Sequence, residues 1–594
     1  MRWNLRSVSG MEAQRLADEA GISPTLARLL LLRGVAGAAE AQRFLSPLLS
    51  HLHSPYAMSG MAAAVERLRA ALERKEKILI YGDYDVDGTT AIVILVTAIR
   101  LCGGEADFHV PHRIREGYGM KDDVIERAAS EGVRLIVSVD TGIRAFDAAQ
   151  TARRVGVDLI VTDHHLPHEG GVPEALVVLN PNQPGCQYPC KDLCGAGVAF
   201  KLAHALMEKA LPDGRKLQPL LESFLKPLAI ATIADAVPLV DENRVFASLG
   251  LAGLRSPVNV GLKALLEVAQ LDGSRPLNGT DVAFRLAPRL NAAGRMDVAR
   301  DVIELFTTKD MVRAREIAER LNQLNSERQA EEARIVEEIC RTLDDSPERR
   351  EAYCIVVDGE AWHRGVIGIA ATRVVERYCR PALVISRLGD EAHGSGRSIP
   401  AFHLLNALES CQELFSRYGG HAHAVGFALP AERVPQLRSA MDAYARTQLT
   451  PADFEPILNL DAELGLAKVT PELYDALCQL EPFGLGNPEP RFLARNVRVL
   501  LPARIIKDKH IKMKLAVEQN GRKFATGIPA IGWGMAERLR QEQVLAGDVL
   551  DVAFTLEHNH HPEFGGLELR LCDVVRVGKA AVSVGSAAGT SGRP

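Results

Sequence analysis

Five short apolar runs, Ile78–Tyr81, Phe108–Val110, Leu135–Val139, Leu159–Val161 and Leu176–Leu179, alternate with helical stretches near 89–100, 121–131 and 145–155. Strands separated by helices rather than by tight turns run parallel, because each return to the sheet needs a long crossover. This alternation predicts a doubly wound α/β domain built on a parallel sheet. It also restricts where chemistry can occur, since open parallel sheets bind ligands beyond the carboxyl ends of their strands.

That sheet is a small part of a 594-residue chain, and at roughly 150 residues per domain the length implies about four domains. Residues 1–60 read as short helices and turns, an N-terminal extension. An amphipathic helix from Met61 to Lys77 opens the first α/β domain, 61–308, whose later part is helical in period with no clear strand. Residues 309–345 lack Gly and Pro and set Ile317, Leu321, Leu324, Ile335 and Ile339 at helical spacing, which predicts one long connecting helix. A second, smaller α/β pattern fills 346–450, with strands at Cys354–Val357, Ala382–Ile385 and Ala424–Leu429 and helices near 363–379 and 403–417. Residues 455–577 carry short alternating strands, Val497–Leu501, Lys512–Val517 and Leu567–Leu571, between Gly/Pro turns, the pattern of a small β-barrel. The small residues of 578–594 predict a disordered tail.

Composition narrows the class. With 47% hydrophobic and 24% charged residues the chain is neither disordered nor of low complexity. The early apolar stretch Thr89–Ile99 is short of the ~20 residues that span a bilayer, and Met1-Arg2-Trp3-Asn4 opens no signal peptide. No membrane association and a cytoplasmic location are expected. Ten scattered cysteines fit a reducing compartment. The net charge of −5 hides a local surplus. Arg491, Arg495, Arg498, Arg504, Lys507, Lys509, Lys512, Lys514, Arg522 and Lys523 face only Asp508 and Glu518, a strongly basic segment.

The candidate chemistry lies at the strand ends. Gly82-Asp83-Tyr84-Asp85-Val86-Asp87-Gly88-Thr89-Thr90 follows the first run and opens a helix. One Asp there would be a helix cap; three at alternate positions repel one another and raise their own pKa values unless cations neutralise them. An EF-hand is a competing cation reading, but its twelfth position, normally Glu, is Ile94. Val139-Asp140-Thr141-Gly142 ends the third run, and Thr162-Asp163-His164-His165-Leu166-Pro167-His168 ends the fourth. Taken alone, each could be a capping acid or a surface histidine. Together they converge on one edge of the sheet, and mixed carboxylate and imidazole ligands suit Mn²⁺ or Mg²⁺ better than a thiolate-rich zinc site.

These strings, with Asp235 in Ala231-Thr-Ile-Ala-Asp-Ala-Val-Pro, resemble the four motifs of the DHH phosphoesterases. Tyr81–Thr90, Pro288-Arg-Leu-Asn-Ala-Ala-Gly-Arg-Met296 and Gly419-Gly-His-Ala-His-Ala-Val-Gly426 closely resemble the RecJ single-strand exonucleases within them, over residues 50 to 577. The resemblance implies a two-metal hydrolase in which Asp85, Asp87, Asp140, His164 and Asp235 hold two divalent cations, Mn²⁺ or Mg²⁺, with Asp140 between them. His165 and Asp163 would orient or complete that set; Asp83 is an added acid without an assigned role. The implied reaction is degradation of single-stranded DNA from its 5′ end to 5′-mononucleotides, in recombination and repair. Single-strand-binding protein is a further expected partner, and the expected state is a monomer.

The resemblance also implies that the second lobe is a DHH-associated domain closing the substrate cleft, with Ser395 and Arg397 of His393-Gly-Ser395-Gly-Arg397-Ser398 and Gly420 and His421 of its Gly-Gly-His motif contacting substrate. Small residues let backbone N–H groups approach a phosphate and Arg397 can grip one bidentately; unaided, the string reads as a glycine-containing turn with a solvated Arg. Arg113, Arg289, Asn291 and Arg295 match positions expected to surround the DNA end. The basic barrel resembles an appended oligonucleotide-binding (OB) fold, with Phe492, Phe524 and Trp533 as stacking candidates and core aromatics as the alternative. Cys186, Cys190 and Cys194 lack zinc spacing and a fourth ligand. Cys194-Gly-Ala-Gly197 lacks the third glycine of a dinucleotide fingerprint. Two rival functions remain: a DHH phosphodiesterase for short oligonucleotides or cyclic dinucleotides, which needs no basic extension, and a DNA-binding scaffold, which would break the metal motifs.

Overall fold

The computed structural model describes the chain except for residues 114, 118, 212–216, 272, 274, 297–298, 520–521, 524–526, 560–564, 578–581 and 586–594, and except for the side chains of 518–519, 522–523 and 582–585. It comprises two units, residues 49–455 and residues 1–48 with 456–594.

In the larger unit, strands β1 (Lys77–Tyr81), β2 (Ala106–His109), β3 (Val133–Val139), β4 (Asp158–Thr162) and β5 (Val177–Leu179) form a wholly parallel sheet in the order β2-β1-β3-β4-β5. The chain reverses its direction of travel across the sheet between β1 and β3, and the crevice at such a switch point is where doubly wound sheets bind ligands. Helix α1 (Val86–Leu101) is buried almost all round, Ile92, Ile94, Leu95 and Ile99 completely, as a helix with no polar face must be. Helices α2 (Asp122–Ser130) and α3 (Phe146–Arg154) cover the other face through Val124, Ile125, Ala148 and Ala149, packed with Tyr81, Ile136 and Val161. Further helices follow, including α4 (Gly195–Ala210), α5 (Leu217–Ala234) and α6 (Ala287–Met296).

The predicted connecting helix is α7 (Met311–Asp344). Ile317 and Leu321 lie in the apolar cluster of the first lobe, while Ile335, Ile339 and Leu343 join Trp362 and Val366 in a cluster of the second. One rigid helix is thereby anchored in both lobes.

The second lobe is a mixed sheet of β6 (Ile355–Glu360), β7 (Ala382–Leu388), β8 (Glu391–Arg397), β9 (Arg417–Gly420) and β10 (Ala424–Pro430), ordered β9-β10-β8-β7-β6 with α8 (Ile367–Tyr378) packed on it. One alternative and one expectation fail here. The His393–Ser398 string is not the glycine-containing turn it would be unaided: its residues to Arg397 belong to strand β8, bonded on both edges to β7 and β10. Its glycines leave room for neighbours, because a Cβ on Gly394 would lie 2.0 Å from the Phe427 ring and one on Gly396 2.5 Å from Leu383. The helix expected over 403–417 is only Leu404–Glu409, followed by a 3₁₀ turn at Gln412–Leu414 and then β9.

The smaller unit holds a closed five-stranded barrel: β11 (Phe492–Ile506), β12 (His510–Leu515), β13 (Ile528–Gly532), β14 (Val549–Asn559) and β15 (Gly566–Arg576), in the order β11-β12-β13-β15-β14 with β14 pairing back to β11. Residues 1–48, read from sequence as part of an extension ahead of the first domain, belong to this unit. Strand Arg2–Arg6 pairs with Ile457–Leu460 and with Val582–Gly585, and the Trp3 indole donates to Asp573 at 2.9 Å. The backbone of Val582–Gly585 is therefore a strand within the segment expected to be disordered; 578–581 and 586–594 lie outside the described residues. Among the described residues no helix is long and apolar enough to cross a membrane.

Candidate metal centre

The turn after β1 is fixed by backbone donors from near and far. Asp85 caps α1, its Oδ1 accepting the N–H groups of Asp87 at 2.9 Å and Gly88 at 3.1 Å. The Asp87 carboxylate accepts the N–H groups of Gly195 at 2.6 Å and Ala196 at 2.9 Å, so the positive end of α4 holds it. The Val86 N–H donates to Asn291 Oδ1 on α6 at 3.1 Å. Asp83 is buried and its Oδ1 has no hydrogen-bond partner.

Asp140 follows β3 with a left-handed φ of 57°, is 2% exposed, and also carries an Oδ1 without a hydrogen-bond partner. Only glycine fits opposite: a Cβ on Gly195 would lie 2.4 Å from that oxygen. His164 Nε2 stands 3.3 Å from Asp140, 3.8 Å from Asp235 and 3.9 Å from Asp87. Ligand atoms fall within 4.8 Å of one another in three overlapping sets: Asp83, Asp85 and Asp140; Asp87, His164 and Asp235; Asp140, His164 and His165. Asp163 belongs to none of these sets. Its Oδ1 accepts the N–H groups of His164 (2.7 Å) and His165 (3.1 Å) and bonds His165 Nδ1 at 2.7 Å, while Oδ2 accepts the Ile143 N–H at 2.9 Å. It braces the loop that carries both histidines.

The electrostatics of this cluster are those of acids short of cations. Burial, then the charge of Asp85, pushes Asp83 well above the usual carboxylate range, and burial followed by Asp87 and Asp85 does the same to Asp140. Burial, then Asp87, raises Asp85. Asp235 is pushed up to about 9 by burial, then by Asp87 and Asp85. Burial lowers His164 despite the acids around it. Burial opposes charge on His165 and Asp163 too, but their mutual bond prevails, raising the imidazole and lowering the carboxyl. Two orphaned buried carboxylate oxygens among hard oxygen and imidazole donors fit Mn²⁺ or Mg²⁺.

Beside the cluster is a cavity of about 310 Å³ lined by Arg113, Gly368 and Ser395, among others. The Arg113 guanidinium lies over the Tyr84 ring, 5.0 Å from its centroid, and the Arg397 guanidinium reaches Gly368, where a Cβ would stand 3.4 Å from Nη2. Arg295 is half-buried, donates to the Gly365 carbonyl at 3.1 Å and is lowered to about 10 by burial, then by Arg113. Two further sequence candidates make bonds within the protein. Arg289 donates to Asn322 at 2.9 Å and to the Arg285 carbonyl, tying α6 to α7, and Asn291 holds the Val86 amide. Gly420 shapes the turn before His421: at φ 140° its Cβ would lie 2.3 Å from the Ala424 carbonyl oxygen. His421 is exposed; burial, then His423, Arg397 and His165, lowers it.

Sequence reasoning missed the role of Cys194-Gly-Ala-Gly197. Set aside as a failed dinucleotide fingerprint, it is the amide pair that grips Asp87. The signal was present as small residues at the start of an apolar helix.

In the barrel, Phe492 is core, wholly buried with its ring 5.9 Å from that of Phe554, and Phe524 lies outside the described residues. Trp533 is 56% exposed and meets His510 edge-on at 4.9 Å. Lys512 and Lys514 point outward from β12 while Ile511, Met513 and Leu515 point in. Arg495 is taken up by Glu463 and Asp551.

Models of known families match three segments: the DHH family N-terminal domain over residues 77–232, the DHHA1 domain over 351–447 and the RecJ OB domain over 460–573. The chain is 37% identical over 563 residues to the single-stranded-DNA-specific exonuclease RecJ of Bacillus subtilis (strain 168), covering 94% of this chain and 69% of that protein. It superposes on the crystal structure of RecJ in complex with Mn²⁺ from Thermus thermophilus with a TM-score of 0.82 at 28% identity, over 98% of this chain and 80% of that one. The Mg²⁺ complex from the same organism gives a TM-score of 0.76 at 27% identity, over 98% and 79%.

Proposed function

The chain belongs to the family of RecJ single-stranded-DNA-specific exonucleases, metal-dependent nucleases, and from that premise we propose that it degrades single-stranded DNA from the 5′ end, releasing 5′-mononucleotides. The observation that carries this reading is the convergence of acids from the ends of β1 and β3, with one oxygen each of Asp83 and Asp140 lacking a hydrogen-bond partner, beside an arginine-lined cavity.

Asp85, Asp87, Asp140, His164 and Asp235 would hold two divalent cations, with Asp140 shared and Asp83 close enough to join. When bound, such a pair supplies an activated water and offsets the charge that grows on the phosphate. The chain's own groups do the rest. Asp163 fixes the His165 ring and sustains its proton, leaving Nε2 to donate to a phosphate oxygen. Asn291 and the α4 amides keep the acidic turn in register. Arg113, Ser395 and Arg397 bind the terminal 5′ phosphate, a job for charge-assisted bonds, and His421 closes the cleft over it. Arg289 supports these groups through α7. The exposed lysines of the barrel and Trp533 hold the trailing strand.

This reading divides the chain into a catalytic domain at 61–308, a connecting helix at 309–345, a substrate domain at 346–450 and a strand-binding domain at 455–577. It places a monomer in the cytoplasm, in recombination and repair, working with single-strand-binding protein. Digestion of strands labelled at either end, with Mn²⁺, Mg²⁺ or chelator, tests it. Mononucleotides released from the 5′ end only when metal is present are expected; release from the 3′ end, or activity confined to dinucleotides, contradicts it.

A further inference from the structure

The 310 Å³ cavity is longer than one phosphate needs. Its floor is the strip where β9, β10 and β8 lie side by side, and register fixes what faces it. Directly opposed residues of antiparallel strands share a face. Arg397 is level with Ala424, Ser395 with Gly426 and Gly419, and His393 with Ala428 and Arg417. At roughly 3.3 Å per residue the Arg397 and His393 rows are about 13 Å apart.

The middle of the strip is bare: a Cβ on Gly426 or Gly419 would meet nothing within 4 Å. At the far end stand Arg364, Arg417 and His393. Among the described residues neither Arg364 nor Arg417 has a carboxylate within ion-pair distance, and Glu391 is spent on His393 at 3.3 Å. Burial, then Arg417, lowers Arg364, and burial, then Arg364, lowers His393, as expected of cations that crowd one another. Phe427 and Tyr418, which also border the cavity, are level with Gly394 and so belong to the other face of the sheet, where the Phe427 ring lies against Gly394. A flat backbone floor ending in two guanidiniums, neither in an ion pair and only Arg364 under the more distant pull of Glu391, suits an extended polyanion.

We propose that this far end is a second anion subsite, which takes the distal phosphates of a strand whose 5′ end carries a triphosphate. The inference rests on the reading that Arg113, Ser395 and Arg397 take the 5′ phosphate nearest the sugar. Water then adds to the first internucleotide phosphorus and the bond to the terminal nucleotide's O3′ breaks, with O3′ taking a proton. A nucleoside triphosphate leaves, and the shortened strand keeps a 5′ monophosphate.

The test compares first-turnover cleavage of one DNA sequence bearing a 5′ hydroxyl, monophosphate or triphosphate, by the full chain and by its R364A/R417A variant. The full chain is expected to release nucleoside triphosphate at a rate within a few-fold of that on the monophosphate end. The variant should lose about tenfold or more on the triphosphate strand, one charge-assisted contact being worth at least that factor, and keep its rate on the monophosphate strand. Arg417→Ala alone, at an exposed residue, gives the same readout if the double variant does not fold. A full chain that stalls on the triphosphate end, or a variant slowed equally on both ends, overturns the proposal. So does inhibition by free ATP that the variant escapes while neither protein cleaves the triphosphate strand, which would assign the subsite to free nucleotides. Equal rates on hydroxyl and monophosphate ends would instead fail the underlying phosphate reading, a separate result.

Discussion

The acids at the switch point of the first sheet and the lysines on the barrel differ in how firmly they are held. Asp87 is gripped by two amides of α4, Asp85 by two of α1, and Asp140 faces a position only glycine can occupy. Lys512 and Lys514 simply project from alternate positions of β12. A site that must place like charges within a few ångströms needs the whole fold to hold them there, whereas a surface that follows a flexible backbone needs only charge and a face to stack on. Changes at the first site should therefore act in all-or-none fashion, and changes at the second should add up.

The largest expected effect is that of Asp140→Asn, which keeps the shape of the side chain and removes the charge at the centre of two of the ligand sets. Single-turnover cleavage in saturating Mn²⁺ should fall by at least about a thousandfold, while affinity for a single strand, measured by fluorescence anisotropy, stays within a few-fold. Gly195→Ala replaces no proposed ligand and keeps the N–H that Asp87 accepts, yet its methyl group would stand 2.4 Å from Asp140 Oδ1. A loss of about a hundredfold is expected from an ångström-scale displacement, and an unimpaired variant would show that Asp140 is not held as tightly as argued.

The same crowding should be visible without any substrate. Asp235 titrates at about 9 in the metal-free fold against an ordinary 3.8, so between those values the native state keeps a proton that the unfolded chain has lost. Stability must then fall as pH rises from about 4 to about 9. Thermal melts of metal-stripped protein should show that decline, and saturating Mn²⁺ should flatten it. A melting temperature that rises through this window would contradict the electrostatic account.

On the barrel the effects are smaller and additive. Trp533→Ala should weaken strand binding by about tenfold, within the ~1–3 kcal/mol of a stacked base. Lys512→Gln and Lys514→Gln should each remove ~0.7 from the log–log salt slope of binding. A collapse of binding on one such change would show that the barrel also depends on a single fixed geometry.

The switch-point chemistry was legible because it is local: Asp85-x-Asp87, Asp140 and Asp163-His164-His165 each follow an apolar run directly, and α/β periodicity puts those ends together. What escaped was set by distant packing. Strand β8 carries Gly394 and Gly396, which read as turn residues, and only the ring of Phe427 and the side chain of Leu383 explain them. The pairing of Arg2–Arg6 with Val582–Gly585 joins the ends of the chain, and no local pattern encodes it. Phe492 and Trp533 look alike as aromatics among basic residues; alternation along β11 buries the first and a turn after β13 exposes the second.

Everything proposed for the first site depends on the acids gathered at the strand ends holding a pair of ions. Calorimetric titration of Mn²⁺ into metal-stripped full-length protein, alongside Asp140→Asn, asks this directly. Two Mn²⁺ per chain in the unaltered protein and the loss of at least one in the variant are expected. A single site, or a variant that still binds two ions with unchanged affinity, would contradict it.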